Sequence, residues 1–425
     1  MSDHYRTRFV GRQPVFFRPT QLGAASLAET TNTIQGLLDG KGMWCVDTPI
    51  EAFSSAACVI DLRGWIALPS EVHDRQGPFL QRRGEAILVN QVARPDVESE
   101  LPDMAIIGFD DVIDVALLEE SGSSMTVVVD GNDQTLRLPT VIGARALALS
   151  FLDRKARMLE RLYPILACPV CRCALRDGSD GSLTCPSNHT RGQRLDYRYE
   201  LLPVGQEPAE LIPPFSAHPY DTEPRVMIEE LSGGLILDDG CGLRYQCFEN
   251  VANLDISPFP TTDVVATCEQ LPFKDASFDG VISVAVLEHV VDPQLCVEQI
   301  ARVLKPGGSV YVAVPFLQPY HGYPHHYFNM TRDGLRTLFA PFFEVDDIIT
   351  PYGGLPIRTL TWFLDRYLQG LPAEVRKDFS TRTVGELAGD PEPHLGQDYV
   401  TELDTQAIAE LASVNVLLGR RRKDH

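Results

Sequence analysis

The strongest constraint on the fold is a regular alternation of short apolar runs and helical patterns between residues 235 and 315. Turn residues bound the apolar runs, which lie at residues 235–237, 281–286 and 310–314. Apolar strands separated by helices are typical of a parallel sheet that is covered on both faces. The sequence therefore predicts a doubly wound α/β sheet in this part of the chain.

The first apolar run leads directly into residues 238–242, which read DDGCG. Glycine permits a tight turn and lets a ligand approach the backbone at the carboxyl edge of a sheet. A carboxylate, Asp255, ends the next predicted strand, at a somewhat shorter separation than the about 20 residues usual in dinucleotide folds. These features together predict a site for a nucleotide-like molecule.

Later segments extend the same pattern. Residues 268–273 are predicted to end a third strand, and residues 277–279 to open a fourth. Asp292 and Pro293 have the residue types that cap and start a helix. The glycines of residues 305–308 predict the end of that helix before a fifth strand.

In this order, the segments LDDGCG, LDIS, LPFKDASFDGVIS, LEHV and LKPGG resemble a class I S-adenosylmethionine-dependent methyltransferase of the small-molecule group called type 11. The resemblance covers roughly residues 226–352 and implies a Rossmann-like sheet, S-adenosylmethionine as cofactor, and methyl transfer. The cofactor contacts that it implies are Asp238, Gly240, Cys241 and Gly242 at the methionine part, Asp255 at the ribose, and Cys268 and Glu269 at the adenine.

Two positions depart from the family pattern. Arg244 stands where a third glycine is usual, which resembles a subgroup whose turn reads glycine, any residue, glycine, any residue, arginine. Thr267 stands where an aspartate is common, so the adenine contact falls to the backbone or to Glu269. A doubly wound domain that has lost its cofactor is the alternative interpretation.

Composition bounds the rest of the chain. Its 425 residues are enough for two or three domains, and no apolar run approaches the roughly 20 residues that span a bilayer. The first 17 residues lack the apolar core and cleavage site of a secretory leader, which favours a cytoplasmic location. A net charge of -21 disfavours nucleic acid as the substrate and an anionic membrane surface as a partner.

Four of the ten cysteines lie close together in the sequence. Cys168, Cys171, Cys185 and His189 have the spacing of two tight knuckles that hold a tetrahedral zinc ion, and a closed site of this kind is structural. Cys173 is an alternative to His189 as the fourth ligand. The alternative to zinc is a set of reduced surface cysteines.

Residues before 140 carry a different pattern, with β-rich runs separated by turns, which predicts a small antiparallel β-sandwich. The segments RGW at 63–65, ARPDV at 93–97 and VVVDG at 127–131 resemble an immunoglobulin-like module found beside enzymes of bacterial surface-glycan synthesis. Trp65 is expected to anchor the core of this module rather than to stack on a sugar.

The basic residues of a predicted helix at 144–162 are expected to be solvated. After the fifth strand we expect a helix at 333–339, a strand at 343–349 and an edge strand at 413–418. The predicted domains are an extension (1–39), the sandwich (40–140), a linking helix (141–163), the zinc ribbon (164–205), a proline-rich linker (206–225), and the methyltransferase domain (226–422) with a helical insertion at about 356–411 that could cover the pocket.

A loop at residues 315–331 is dense in aromatic and imidazole rings, which indicates the lining of a substrate pocket rather than a seal over the sheet edge. The candidate substrate contacts are Tyr320, His321, Tyr323 and Tyr327. His325 and His326 are the first candidates for a general base, and His289 ranks below them. A catalytic metal is not expected on His321, His325 and His326, because no carboxylate cluster lies near them in the sequence.

These features favour methyl transfer to an oxygen or nitrogen of a small molecule or glycan precursor. An amine acceptor would need no base. A carbohydrate- or protein-binding scaffold without activity is one alternative, and a protein methyltransferase is another. The sequence does not indicate the acceptor or the oligomeric state.

Overall fold

The computed structural model describes two compact units of the chain, one formed chiefly by residues before 142 and one by Gly143–His425. The described residues are 34–38, 42–46, 59–69, 75–82, 85–88, 91–92, 97–98, 101, 103–114, 124–129, 132–137, 144–195, 197–209, 219–322, 325–388 and 391–412.

The described residues of the first unit are chiefly strands, as its β-rich runs predict. They form two sheets, ordered β1-β2-β3-β7-β6 and β5-β4-β8-β9, and β1 contacts β9. The strands are β1 (Ile34–Leu38), β2 (Gly42–Val46), β3 (Val59–Pro69), β4 (Arg75–Arg82), β5 (Glu85–Leu88), β6 (Gln91–Val92), β7 (Met104–Asp114), β8 (Ser124–Val129) and β9 (Asn132–Arg137).

Trp65, on β3, is buried and packs with Ala67 and Val97. A fully covered indole has no face to offer a sugar, so the structure supports its interpretation as a core anchor. The sandwich arrangement and the immunoglobulin-like resemblance of this unit stay predictions.

The second unit is built on one nine-stranded mixed sheet. Its central strands are parallel and follow the order β16-β15-β14-β17-β18, which is the 3-2-1-4-5 order of a Rossmann-like sheet. The predicted doubly wound α/β fold is therefore confirmed at the level of the sheet. Its strands are β10 (Arg176–Asp177), β11 (Ser182–Thr184), β12 (Arg191–Arg194), β13 (Tyr199–Glu200), β14 (Ile236–Asp239), β15 (Val251–Asp255), β16 (Val264–Val265), β17 (Phe278–Val284) and β18 (Leu304–Ala313).

The strands of the predicted ribbon belong to this same sheet. β10 to β13 form an antiparallel meander, and Tyr199 of β13 lies beside Val264 of β16 in a parallel pairing. Tyr199 and Leu201 are fully buried in the principal core of the unit. The ribbon is thus a packed extension of the sheet rather than a free-standing module.

Helix α1 (Ala144–Leu162) also packs on this sheet. The basic residues Arg154 and Lys155 are 4% and 0% exposed, and both form ion pairs with the buried Asp263, at 2.8 and 2.9 Å. The expectation that these charges are solvated was wrong, because a carboxylate 109 residues away from Arg154 neutralises them. Arg157 and Glu249, by contrast, form an exposed pair.

The other helices are largely where the sequence predicts them. Asp292 caps α3, since its Oδ1 accepts the Leu295 amide at 3.1 Å. This helix ends at Val303, just before residues 305–308 as predicted, and those residues lie inside β18. The helices are α2 (Thr222–Glu230), α3 (Pro293–Val303), α4 (Arg332–Phe339), α5 (Pro356–Gln369), α6 (Ala373–Phe379), α7 (Val384–Leu387), α8 (Asp398–Thr401) and α9 (Thr405–Leu411).

Two predicted strands have different outcomes. Residues 343–349 pair with no strand in the described part of the chain, so that prediction was wrong. The predicted edge strand at 413–418 lies outside the described residues. Among the residues that the structure describes, no helix has the length and apolar character needed to cross a membrane.

Candidate cofactor and acceptor site

The glycine turn lies at the carboxyl end of β14, where the sequence predicts a ligand. Gly240 and Gly242 have φ angles of +76° and +57°, which side chains rarely adopt. A Cβ atom on Gly240 would lie 2.2 Å from Cγ2 of Val286. The amides of Gly240 and Cys241 both donate to the carbonyl of Leu254 at 2.9 Å, which ties the turn to β15.

Asp255 ends β15 beside this turn. Its Oδ2 accepts the Gly242 amide at 2.8 Å, and its Oδ1 accepts the Ser257 amide at 2.9 Å. Burial raises the pKa of Asp255 to about 6, although the two amides oppose this shift. Each carboxylate oxygen keeps a second lone pair, so the group can still accept hydrogen bonds from ribose hydroxyls.

The Asp238 carboxylate accepts hydrogen bonds from other side chains of the protein. Arg244 donates to both of its oxygens, at 2.8 and 3.0 Å, and the Tyr220 hydroxyl donates to Oδ2. The Arg244 guanidinium lies 4.3 Å from the centre of the Tyr220 ring. The arginine at this position therefore has a structural role, because it neutralises a buried carboxylate. Sequence reasoning missed Tyr220, which lies 18 residues before its partner.

Cys268 and Glu269 lie on a short 3-10 turn that follows β16. Cys268 is buried, and its Sγ lies 3.2 Å from Sγ of Cys296 on α3. The hydrogen bond shared with Cys296, in which Cys268 keeps its proton, and burial together raise the pKa of the Cys268 thiol well above its usual value. Cys268 is therefore a packed thiol at pH 7, and Glu269, which is partly exposed, is the better polar contact for an adenine.

Buried oxygens without partners concentrate at this end of the sheet. Among the described residues, the buried side-chain oxygens that lack a hydrogen bond belong to Asp239, Gln270, Ser283 and Glu288. All four residues lie at or just after the ends of β14, β16 and β17. Burial raises the pKa of Asp239 to about 8 and that of Glu288 to about 7. Such groups are rare in native structures, and an ordered water, a ligand or an ion would complete their bonding.

Three histidines pack together after β17 and β18. The ring centres of His289 and His321 are 5.3 Å apart, and those of His321 and His326 are 4.2 Å apart. Tyr320 stacks on His326 at 5.6 Å, and Trp362 of α5 contacts His321 at 5.2 Å. The structure thus brings together two predicted substrate contacts and two predicted bases. Trp362 lies in the predicted insertion, and sequence reasoning did not single it out.

The other predicted acceptor contacts lie at the margin of this cluster. The ring of His325 lies 5.5 Å from that of Tyr327, and the amide of Tyr327 donates to the carbonyl of Glu288 at 2.6 Å. Tyr323 lies outside the described residues.

Hydrogen bonds distinguish the candidate bases. Nδ1 of His326 accepts the amide of His321 at 3.2 Å, so its Nε2 is the donor to Asn329 Oδ1 at 2.9 Å. His289 donates from Nδ1 to the carbonyl of His325 at 2.6 Å, which places its lone pair on Nε2. Burial lowers the pKa of His289. The geometry therefore favours His289 as a proton acceptor over His326, the reverse of the order expected from sequence.

The cysteine cluster contains Cys173 in place of His189. The Sγ atoms of Cys171, Cys173 and Cys185 lie 3.2 to 3.6 Å from one another, and Cys168 completes a group of four whose sulfurs lie within 4.8 Å. Nδ1 of His189 lies 3.8 Å from Cys185 Sγ, outside the group. The structure thus groups the alternative candidate Cys173, rather than His189, with Cys168, Cys171 and Cys185, and four thiols are a donor set that fits a closed tetrahedral zinc site.

A family of sequences described as a methyltransferase domain matches residues 241–312. The ubiquinone/menaquinone biosynthesis C-methyltransferase of Geotalea daltonii is 35% identical over 81 residues, which are 18% of this chain and 34% of that protein. An O-methyltransferase of Penicillium expansum is 44% identical over 48 residues, which are 11% of this chain and 17% of that protein. The chain therefore spans about a third or less of these relatives.

Solved structures resemble the chain only partially. A methyltransferase of Thermotoga maritima, described as a possible histamine N-methyltransferase, is 18% identical, with 29% of this chain and 76% of that chain covered and a TM-score of 0.22. A methyltransferase from an antibiotic biosynthesis pathway of Anabaena variabilis is 17% identical, with 46% and 87% covered and a TM-score of 0.26. With scores this low, the structural likenesses add nothing to the assignment.

Proposed function

We propose that the protein is an S-adenosylmethionine-dependent methyltransferase that acts on an oxygen or nitrogen of a small molecule or glycan precursor. The observation that carries this proposal is the hydrogen bond between the Gly242 amide and Asp255, at the carboxyl edge of a Rossmann-like sheet and within the segment matched by the methyltransferase family. This arrangement offers a bent backbone and a carboxylate to one nucleoside-containing ligand.

The cofactor residues divide by position along the sheet edge. Asp255 would accept the ribose hydroxyls, and Glu269 with the backbone beside Cys268 would contact the adenine. The turn from Gly240 to Gly242 would approach the methionine part, where Asp238 fixes the turn through Arg244. The oxygens of Asp239, which have no hydrogen-bond partner among the described residues, lie at the same turn.

Methyl transfer is an in-line displacement in which the acceptor atom bonds to the methyl carbon and the carbon–sulfur bond breaks. The electron pair of that bond stays on sulfur, so the sulfonium becomes a neutral thioether. The protein must align the three atoms, which supplies much of the rate. If the acceptor is a hydroxyl, its proton would pass to a histidine, and Nε2 of His289 has the suitable lone pair.

The rings of Tyr320, His321 and Trp362 support a small acceptor with a flat or carbohydrate face. Tyr320 and Trp362 are exposed, which suits a binding surface better than a sealed core. A scaffold that binds without transferring, or a methyltransferase of protein side chains, would use the same surface. The unpartnered buried oxygens favour an enzyme, since a scaffold gains nothing from them.

We further propose that the four thiols hold one structural zinc ion. A closed four-sulfur site leaves no position for a water or a substrate, so its role would be to fix the meander of β10 to β13. Cys173→Ser should lower the zinc content of the purified protein, whereas His189→Ala should leave it unchanged. The opposite pattern would restore His189 as the ligand.

Calorimetric titration of the purified chain with S-adenosylmethionine tests the main proposal. We expect micromolar binding that Asp255→Asn weakens about 10- to 100-fold, because a charged acceptor is lost without a change of shape. Asp347→Asn, at an exposed carboxylate remote from the turn in sequence, is the control and should bind as the parent does. No heat at millimolar cofactor would leave the scaffold as the function.

A further inference from the structure

We propose that Glu288, His289 and His321 bind one divalent transition-metal ion on the acceptor side of the sheet edge. Glu288 and His289 follow β17, and His321 follows β18, so the site joins the two loops that leave neighbouring parallel strands. The site is separate from the four cysteines and has a different donor chemistry.

The first observation is the proximity of three suitable ligand atoms. One oxygen or nitrogen of each residue lies within 4.8 Å of the other two, and Nε2 of His289 is 3.9 Å from Oε1 of Glu288. One carboxylate with two imidazoles is a ligand set of zinc and non-haem iron sites. Ligands about 2.1 Å from a common ion lie somewhat closer together, a change that side-chain rotation can supply.

The second observation is the carboxylate itself. Glu288 is 0% exposed, and neither of its carboxylate oxygens has a hydrogen-bond partner in the described part of the chain. Burying an ionised carboxylate is costly, and proteins compensate for it by protonation, by pairing or by metal coordination. The loop is nevertheless held in place, since the Glu288 carbonyl accepts the amide of Tyr327. A cation bound at Glu288 would supply the missing compensation.

The third observation is the orientation of the two imidazoles. Nδ1 of His289 lies 2.6 Å from the carbonyl of His325, and Nδ1 of His321 lies 2.8 Å from the carbonyl of Pro319. Because a carbonyl only accepts, both Nδ1 atoms carry the proton and both lone pairs are on Nε2. Histidine ligands of metals characteristically donate their other ring nitrogen to a carbonyl or carboxylate, which fixes the tautomer.

The sequence prediction that no catalytic metal binds here compared only the histidines of residues 315–331. Those histidines have no carboxylate in their own loop, and the carboxylate comes from the loop after the preceding strand. The LEHV segment also supplies one of the two imidazoles. The predicted His325 and His326 are left out of the ligand set, and the ring of His325 lies beside Tyr327 instead.

Three protein ligands leave coordination positions open for an oxygen of the acceptor. This consequence rests on the proposed methyl transfer. An acceptor hydroxyl in such a position would ionise more readily and release its proton to water, so His289 would act as a ligand rather than as the base. A metal would then favour an oxygen acceptor over an amine.

Cobalt(II) titration of the full-length protein, without cofactor, tests the site directly. Cobalt bound to thiolates has strong near-ultraviolet charge-transfer absorption, whereas cobalt bound to nitrogen and oxygen has only weak visible bands. We expect the parent to bind one ion of the second kind, in addition to any ion on the cysteines. Glu288→Gln and His321→Ala should lose that ion, while His325→Ala should keep it, since the substitution retains the carbonyl that orients His289.

Absence of a nitrogen- and oxygen-bound ion in the parent would overturn the proposal, and so would its retention in both Glu288→Gln and His321→Ala. Glu288→Gln preserves the shape of the side chain, so it remains informative if His321→Ala fails to fold. The titration contains no S-adenosylmethionine, and cofactor binding is measured separately. Failure of the metal site and failure of methyl transfer are therefore distinguishable.

Discussion

The region where α1 covers the sheet and the carboxyl end of the sheet both bury carboxylates, but they treat them differently. Under α1, Asp263 is fully buried and is paired with both Arg154 and Lys155. At the carboxyl end, Asp239 and Glu288 are equally buried, and their carboxylates have no hydrogen-bond partner among the described residues. Solvent is excluded equally from the carboxylates of both regions, so the regions differ only in whether those carboxylates have partners.

This contrast separates structural charges from charges kept for a ligand. Burial alone would raise the pKa of Asp263, but Arg154 and Lys155 outweigh burial and lower it. For Asp239, burial and the neighbouring carboxylates act together, and its pKa rises to about 8. Strongly raised pKa values of buried carboxylates cluster at functional sites, so Asp239 and Glu288 are candidates for a functional role that Asp263 is not.

The largest expected effect is a loss of stability on substitution of Asp263, the paired carboxylate. Asp263→Ala would leave two buried cations without a counter-charge, which should lower the free energy of unfolding by about 3–5 kcal/mol. The measurement is chemical denaturation followed by tryptophan fluorescence and circular dichroism. Glu249→Ala breaks the exposed pair with Arg157 and should cost less than about 1 kcal/mol. Equal losses of stability in the two variants would contradict the structural role that we assign to the buried pairs of Asp263.

A smaller effect is expected at the glycine turn. Gly240→Ala should lower the free energy of unfolding by about 2–4 kcal/mol and abolish cofactor binding, because it combines a positive φ with a clash against Val286. Gly307→Ala is the matched control, since Gly307 has a φ of +77° and, its chain neighbours aside, no described atom lies within 4 Å of the place that its Cβ would occupy. It should cost only about 1 kcal/mol.

The double variant Gly240→Ala, Val286→Ala sharpens this test. Removal of the valine methyl groups should recover the part of the loss that comes from the clash, leaving the cost of the positive φ. No recovery in denaturation experiments would show that backbone strain accounts for the whole effect.

The smallest expected effect is a pH-dependent change in stability on substitution of Asp239, an unpaired carboxylate. Asp239 keeps its proton in the folded state up to about pH 8, whereas the unfolded chain releases it near pH 4, so this residue's contribution to stability falls as pH rises between these values. Asp239→Asn removes that dependence. Its free energy of unfolding should exceed that of the parent by about 1–3 kcal/mol at about pH 9, with a smaller difference at about pH 6. The same difference at both pH values would contradict an elevated pKa.

The sequence predicted what local patterns determine. The glycine turn, Asp255, and the Asp292 cap are set by residues near one another in the chain, and all were found. The pairing of Arg154 with Asp263 spans 109 residues, and Trp362 meets His321 from a distant helix. Neither contact leaves a signal in residue spacing, since it exists only after the sheet and its helices have packed.

The cysteine cluster shows a related limit. Spacing allowed either Cys173 or His189 as the fourth ligand, and only the register of the hairpin distinguishes them. The predicted strand at 343–349 failed for the opposite reason: its composition suits a strand, but no neighbouring strand among the described residues pairs with it.

The pairing of β13 with β16 also determines what an adjacent chain would encounter. Without the meander, β16 would be an open edge of a parallel sheet, with unpaired amides and carbonyls able to recruit another molecule. With it, the outermost strand on that side is β10, which has only two residues, both exposed. A fragment that began at residue 206 should therefore self-associate, because the meander also shields the central parallel strands from edge-to-edge aggregation.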